Sequence, residues 1–285
     1  MFRLVNVDGR AALDHNHSWY DLANLAGDPR LADPMVAVTR HRELHTLVER
    51  CASSTPDGAT AEASLAAPVP RPRQVFGIGL NYRDHADESG MTEPSAPLVF
   101  TKFPSCITGP TADIALSGAT VDWEVEIVVT IGEEVSRVAA ADAWSMIAGL
   151  TLGQDISDRT VQLGDQPPQF SLGKSFPAYG PIGPALVSVD SFERPDDIGL
   201  WCDVAGERMQ DGRTRDLIFP IPTLVAYLSS ICTLYPGDLI FTGTPSGVGM
   251  ARGRYLRPGE TLTSGAESIG ELTNACVAGA GPFAI

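Results

Sequence analysis

A chain of 285 residues, 44% of them hydrophobic, can bury a substantial core and is composed as a globular protein rather than a disordered one. A formal charge of −15 disfavours nucleic acid and anionic membrane as partners. No apolar run is long enough for a membrane span, residues 1–8 lack the apolar core of a signal peptide, and five widely spaced cysteines without a CxxC pair read as reduced thiols of a cytoplasmic protein.

In chain order, residues 1 to 50 read as short strands followed by a helix, with Leu44, Leu47, Val48 and Cys51 at helical spacing. Residues 52–73, punctuated by Pro56, Gly58, Pro68, Pro70 and Pro72, read as a linker. That divides the chain into a small N-terminal domain, 1–70, and a larger one, 71–285. From Val75 onward short apolar runs alternate with Gly/Pro turns. Strands are expected over 75–79, 98–103, 121–131, 148–155, 185–188, 200–204, 239–242 and 261–264, and helices over 139–147 and 221–230. The second helix follows Pro220 and has Pro222 in its first turn. The fold class is α+β, mainly β.

Chemistry concentrates in a few places. Strand side chains alternate faces, so Asp122, Glu124 and Glu126 share one face of the 121–131 strand, with no basic residue between them. Such a cluster is either a solvated face or a site for a cation. Asp155 ends a later apolar strand, and carboxylates without His or Cys suit a hard divalent ion. His85 and Glu88 are three apart, which on a helix makes either a general-base dyad or an incidental surface pair. The segment 242–249 follows a strand with glycines and hydroxyls. It is either a tight turn or a place where backbone N–H groups meet an anion, but it is neither a P-loop nor a nucleophile elbow. His15 and His17 read as a solvated loop more readily than as metal ligands. Two lysines, Lys102 and Lys174, stand against eighteen arginines, and an arginine's planar fork does not replace a compact ammonium.

Taken together, these stretches resemble the fumarylacetoacetate hydrolase family. The matching text is Gly79-Leu80-Asn81-Tyr82-x-x-His85, Asp122-Trp123-Glu124-Val125-Glu126, Gln154-Asp155-Ile156-Ser157-x-Arg159, Gly173-Lys174-Ser175-Phe176 and Pro181-x-Gly183-Pro184, then Gly206-Glu207-x-x-Gln210, Pro236-Gly237-Asp238-x-Ile240 and Thr242-Gly243-Thr244-Pro245-x-Gly247-Val248-Gly249. Residues 1–70 match only loosely.

The resemblance implies a mixed β-sandwich roll with a metal site at its mouth, and a homodimer. It implies Glu124, Glu126 and Asp155 as ligands of Mg²⁺ or Mn²⁺, with Ca²⁺ as a crystallographic substitute, and Asp122 outside the set. It also implies Lys174 as the active-site lysine, Arg159, Gln162 and Thr244 in the substrate pocket, and His85 with Glu88 as the dyad of a mobile lid over 81–95. Pro177 stands where many members carry Asp, a change expected to touch packing or substrate fit. The implied substrate is a small dioxo or oxo acid. The expected reaction is hydrolysis of a C–C bond in a 2,4-dioxo acid through a metal-stabilised pyruvate enolate. Alternatives are oxaloacetate decarboxylation, isomerisation or hydration of 2-hydroxy-dienoates, and a non-catalytic binding role. Lys102 is expected at a structural or pocket-edge position.

Overall fold

Every residue of the strand Val125–Ile131 is buried. Burial that continuous requires a layer on each face, and the side chains divide accordingly. Val125, Ile127, Val129 and Ile131 join one apolar cluster with Leu200, Cys202, Val204, Leu262 and Leu272 of a second sheet. Val128 points the other way, into a cluster with Leu31, Leu44 and Leu47 from the N-terminal region. Each such side chain, fully buried, contributes roughly 1.5–3 kcal/mol. The strand thus lies in a sheet between two cores, in a computed structural model that describes residues 1–88, 90 and 92–279.

That larger sheet has twelve strands. Its main path runs Gly58–Ala59, Ser18–Asp21, Arg10–His15, Arg3–Val7, Gly180–Val187, Ile147–Gln154, Val125–Ile131, Leu239–Phe241, Val75–Gly79 and Leu98–Thr101. The sheet is mixed: most neighbours are antiparallel, but Leu239–Phe241 and Val75–Gly79 run parallel. The first residues belong to the same sheet, with Arg3 opposite Val187. The stretch read as a linker adds two short strands, Gly58–Ala59 and Leu65–Ala66. A five-stranded sheet, led by Gly199–Val204, Thr261–Ala266 and Gly270–Ala278, packs on one face. The α+β, mainly β architecture is the expected one.

The elements differ from expectation in several places, among them the strand Glu207–Arg213, which was not expected, and the 185–188 strand, which is Gly180–Val187. The 121–131 run is two strands, Val121–Asp122 and Val125–Ile131. It breaks because the backbone N–H groups between them find side-chain partners: Trp123 donates to the Asp122 carboxylate, Glu124 to Gln154 Oε1, and Val125 to Gln210 Oε1. The 139–147 helix is a 3₁₀ helix, Ala140–Met146. The strand Gly270–Ala278 was missed because its buried side alternates Leu272 with the small or polar Asn274 and Cys276, a weak apolar signal. By contrast Val75–Gly79 is as expected, and the 221–230 helix is Ile221–Ile231 with Pro222 in its first turn.

Topology gathers the chemistry at one end. Val125 pairs with Gln154 in the antiparallel register, so Glu124 enters one strand where Asp155 leaves the next. The parallel strands Val75–Gly79 and Leu239–Phe241 both run out toward this end, into the segments carrying His85 and Thr244.

Candidate metal centre and active site

The Asp155 N–H donates to the Glu124 carbonyl at 2.8 Å, which closes the gap between the two strand ends. Glu126, one step along, completes a group whose carboxylate oxygens lie within 4.8 Å of one another. Glu124 is 6% exposed, Glu126 2% and Asp155 0%. The solvated-face reading of the acidic run is therefore wrong. Asp122 is equally buried but turns away. It binds Arg159 at 2.7 Å and accepts the N–H groups of Gly249 and Met250 at 2.6 and 2.9 Å.

Buried carboxylates persist only when paired. Lys174 Nζ is 2.7 Å from both Glu124 Oε2 and Asp155 Oδ2, and 2.8 Å from Ser157 Oγ. Lys102 Nζ is 2.6 Å from the other Asp155 oxygen and donates to the carbonyls of Lys174 and Tyr179. Both lysines of the chain thus grip one carboxylate, from opposite oxygens. Arg159 reaches Glu124 Oε1 at 2.7 Å. Burial pushes the Glu124 carboxyl up, but Lys174, Arg159 and His85 outweigh it and hold it at about 2. Burial works against the Lys174 ammonium, and Asp155 and Glu124 more than offset it, so it stays charged.

Glu126 differs. It accepts the Gly243 N–H at 2.7 Å, and among the described residues no lysine or arginine pairs with it. Burial, then Asp155 and Glu124, push its carboxyl well above the usual range. A buried carboxylate without a cation, facing two more carboxylates, is the donor set a hard divalent ion fits. The residues present fit Mg²⁺ or Mn²⁺. Among the described residues no other group of three or more His, Cys, Asp or Glu side chains converges in this way; His15 ends the strand Arg10–His15 rather than lying in a loop, and His17 follows in an exposed turn.

The dyad lies on a short helix, Arg83–Glu88. His85 Nδ1 meets Glu88 Oε1 at 2.8 Å, leaving Nε2 as the ring nitrogen Glu88 does not engage. His85 is 7% exposed, so this is no incidental surface pair. The helix is docked: Glu88 accepts the Gly247 N–H at 2.9 Å and Asp84 accepts the Ser246 hydroxyl at 2.6 Å. Ser89 and Met91, part of the expected lid, lie outside the described residues.

One glycine-rich loop therefore organises four carboxylates. Its N–H groups hold Glu126 through Gly243, Asp84 and Glu88 through Ser246 and Gly247, and Asp122 through Gly249 and Met250. Both earlier readings of 242–249 were half right: the turn is tight, and the anions are the protein's own. Gly247 has φ of +101°, and a Cβ there would come within 2.0 Å of the Met209 carbonyl oxygen, so no other residue serves.

Arg159 and Gln162 share the helix Arg159–Leu163, capped by Asp158. Gln162 Oε1 accepts from Arg159 Nη1 at 2.8 Å. A Cβ on Gly173 would lie 2.7 Å from the Gln162 nitrogen; its absence lets the Phe170–Gly173 helix press against this one and deliver Lys174. Thr244 donates its hydroxyl to the Val125 carbonyl and accepts from Gln210 Nε2, so that proton is already committed. Arg159, Gln162, Thr244, Lys174, Glu124, Glu126 and His85 all line one cavity of about 250 Å³. Pro177 is exposed, outside that lining. Sequence reasoning underrated Lys102, Ser157, Gln154 and Gln210. The scarcity of lysine was the one signal for Lys102.

Comparison with known proteins agrees with this arrangement. Residues 74–277 match the family model described as fumarylacetoacetate (FAA) hydrolase C-terminal. The chain belongs to the fumarylacetoacetate hydrolase family, a family of enzymes. It is 39% identical over 258 residues to a mitochondrial oxaloacetate tautomerase of Bos taurus, covering 88% of this chain and 82% of that one. An HpcE-like protein from Mycobacterium smegmatis superposes with a TM-score of 0.90 at 43% identity, covering 97% of this chain and 99% of that one. Maleylpyruvate hydrolase from Sphingobium sp. SYK-6, in complex with manganese(II) ion and pyruvate, superposes with a TM-score of 0.82 at 26% identity, covering 97% and 99%.

Proposed function

We propose that this enzyme hydrolyses a C–C bond in 2,4-dioxo acids of the acylpyruvate type. The observation that carries the reading is the convergence on one cavity of a three-carboxylate cluster, the Lys174 ammonium and the His85–Glu88 dyad. Glu124, Glu126 and Asp155 would hold Mg²⁺ or Mn²⁺, which when bound would supply a Lewis acid for the oxygens of the 2-oxo acid head.

The chain's own residues do the rest. Glu88 fixes the His85 tautomer, and Nε2 takes a proton from water as that water adds to the C4 carbonyl. Lys174, kept charged by two carboxylates, stabilises negative charge as the C3–C4 bond breaks and its electron pair becomes an enolate. Arg159 and Gln162 orient the head. Protonation at C3 completes pyruvate. One water is consumed, and a carboxylate, pyruvate and one proton are released. The buried floor and the docked Arg83–Glu88 helix keep bulk water from the enolate.

A second reading is keto–enol exchange or decarboxylation of oxaloacetate, favoured by the 39% identity to an oxaloacetate tautomerase. It needs the same floor and uses His85 to move a proton at C3 rather than to activate water. The assay that separates them follows pyruvate and acid release from an acylpyruvate, beside enol absorbance and pyruvate formation with oxaloacetate, using wild-type and His85→Ala protein reconstituted with Mn²⁺. Acylpyruvate inert in wild type, with oxaloacetate tautomerised rapidly, removes the first reading and leaves the second. A cytoplasmic homodimer belongs to the same proposal, and sedimentation velocity tests the dimer. Among the described residues no helix is long and apolar enough to cross a membrane.

A further inference from the structure

The cavity has two chemically distinct halves. Its floor carries the charged and polar groups named above. Its wall and mouth are apolar: Leu80, Leu98, Phe100, Leu163, Phe170 and Met250. Phe100 and Phe170 meet edge to face, ring centroids 5.8 Å apart, which makes a stiff aromatic wall. The Phe100 ring centroid is also 5.0 Å from Lys174 Nζ, so this residue marks the junction of the two halves. At the open end Leu98, Leu163 and Met250 are 43%, 39% and 37% exposed, a concentration of solvent-facing apolar surface that marks a binding face. Leu80 holds φ of +53°, a left-handed conformation unfavourable for leucine and kept here where its residue lines the cavity.

We infer that the substrate carries a single carboxylate, at the reacting head, and an apolar alkyl or aryl group beyond the C4 carbonyl. The inference rests on the hydrolase reading for the identity of the head. It rests on charge for the tail. Among the described residues Arg159 and Lys174 are the only lysine or arginine in the lining, and both are ion-paired to carboxylates of the floor. Arg83, on the same helix as His85, does not line the cavity and faces Glu93. A second carboxylate, such as maleylpyruvate or oxaloacetate bears, would leave water for a surface of leucine, phenylalanine and methionine with no counter-ion. An alkyl or aryl tail would exchange water for that same surface at a gain.

The test is kcat/KM of the Mn²⁺-loaded enzyme for acetyl-, butanoyl-, hexanoyl- and benzoylpyruvate, with fumarylpyruvate and oxaloacetate beside them. We expect a rise of about fourfold per added methylene until the wall is covered, carried mainly by KM. Fumarylpyruvate should fall at least about tenfold below hexanoylpyruvate, the penalty of an unpaired charge. Leu163→Arg, at a partly exposed rim position, should raise fumarylpyruvate and lower hexanoylpyruvate. Fumarylpyruvate equal to or better than hexanoylpyruvate in the wild type, or a flat alkyl series, overturns the inference while leaving hydrolysis intact. If no dioxo acid is turned over, the hydrolase reading falls, and calorimetric binding of 2-oxooctanoate against 2-oxoglutarate decides this one. Tighter 2-oxooctanoate upholds it; 2-oxoglutarate bound as tightly or more tightly overturns it.

Discussion

The floor and the rim of the cavity are held by opposite physics. On and beneath the floor Asp122, Glu124, Glu126 and Asp155 meet Lys102, Lys174 and Arg159, all seven nearly inaccessible to water. Such a network survives desolvation only when its charges are paired, so the paired members behave as a unit, and Glu126, with no lysine or arginine partner among the described residues, is the exception. The rim is made of side chains such as Leu98 and Leu163, each contributing a separate, additive area of apolar contact. Changes to the paired groups of the floor should therefore be drastic and should couple to stability and metal. Changes to the rim should be small, graded and specific to the substrate's tail.

The sharpest way to break this comparison is to take away the cation that the floor's surplus of carboxylate calls for. Chelator-treated protein should lose about 10³-fold or more in turnover, the equivalent of several kcal/mol of charge stabilisation, and Mn²⁺ or Mg²⁺ should restore it. Unchanged rates in buffer shown metal-free by elemental analysis would remove the metal from the account. His85→Ala comes next. Acylpyruvate hydrolysis should fall about 10²–10⁴-fold, the worth of a general base, with Mn²⁺ affinity unchanged. A matching loss of metal affinity would show the helix acting through the floor rather than on water.

Lys102→Met probes pairing on the floor without touching the cavity lining. Breaking a buried pair costs about 3–5 kcal/mol, and a group that orients a metal ligand is worth about 10–100-fold in affinity. Denaturant unfolding and Mn²⁺ titration read the two. The exposed pair of Arg42 and Glu133, 2.7 Å apart, is the control. Arg42→Ala should cost under about 1 kcal/mol.

Protons offer a subtler probe. The raised Glu126 carboxyl holds its proton to higher pH than an ordinary carboxyl in the metal-free protein, because it is buried beside Asp155 and Glu124, and a cation requires the carboxylate. Binding therefore releases a proton, and affinity rises with pH by up to about tenfold per unit until Glu126 is ionised. Calorimetry in buffers of different ionisation enthalpy measures that proton directly. Affinity falling as pH rises from 6 to 8 would contradict the assignment.

The sequence was legible where a single segment contained its own answer. Short apolar runs bounded by Gly/Pro turns marked Val75–Gly79 and Leu239–Phe241, and the i,i+3 spacing of His85 and Glu88 already placed them on one helical face. It was illegible where a partner comes from far along the chain. The break after Asp122 depends in part on Gln210, whose Oε1 accepts the Val125 N–H across 85 positions. Lys102 meets Asp155 across 53 positions. The apolar wall assembles Leu80, Phe100, Leu163 and Phe170 from separate segments, so no local pattern announces the tail specificity. The carboxylate cluster became readable only through its resemblance to a family, since spacing alone equally described a solvated strand.

The central claim is that Glu124, Glu126 and Asp155 hold one divalent ion while Lys174 neutralises two of them. It is tested most directly by titrating Mn²⁺ into wild-type and Glu126→Gln protein and following bound metal by electron paramagnetic resonance. Gln matches Glu126 in shape, keeps an oxygen for the Gly243 N–H and removes a charge that burial disfavours, so the variant should fold and melt as the wild type does. The account predicts one tight Mn²⁺ per chain in the wild type and a loss of at least about 10²-fold in affinity in the variant, the scale of a missing charged ligand. Equal Mn²⁺ affinity in the two proteins would contradict it.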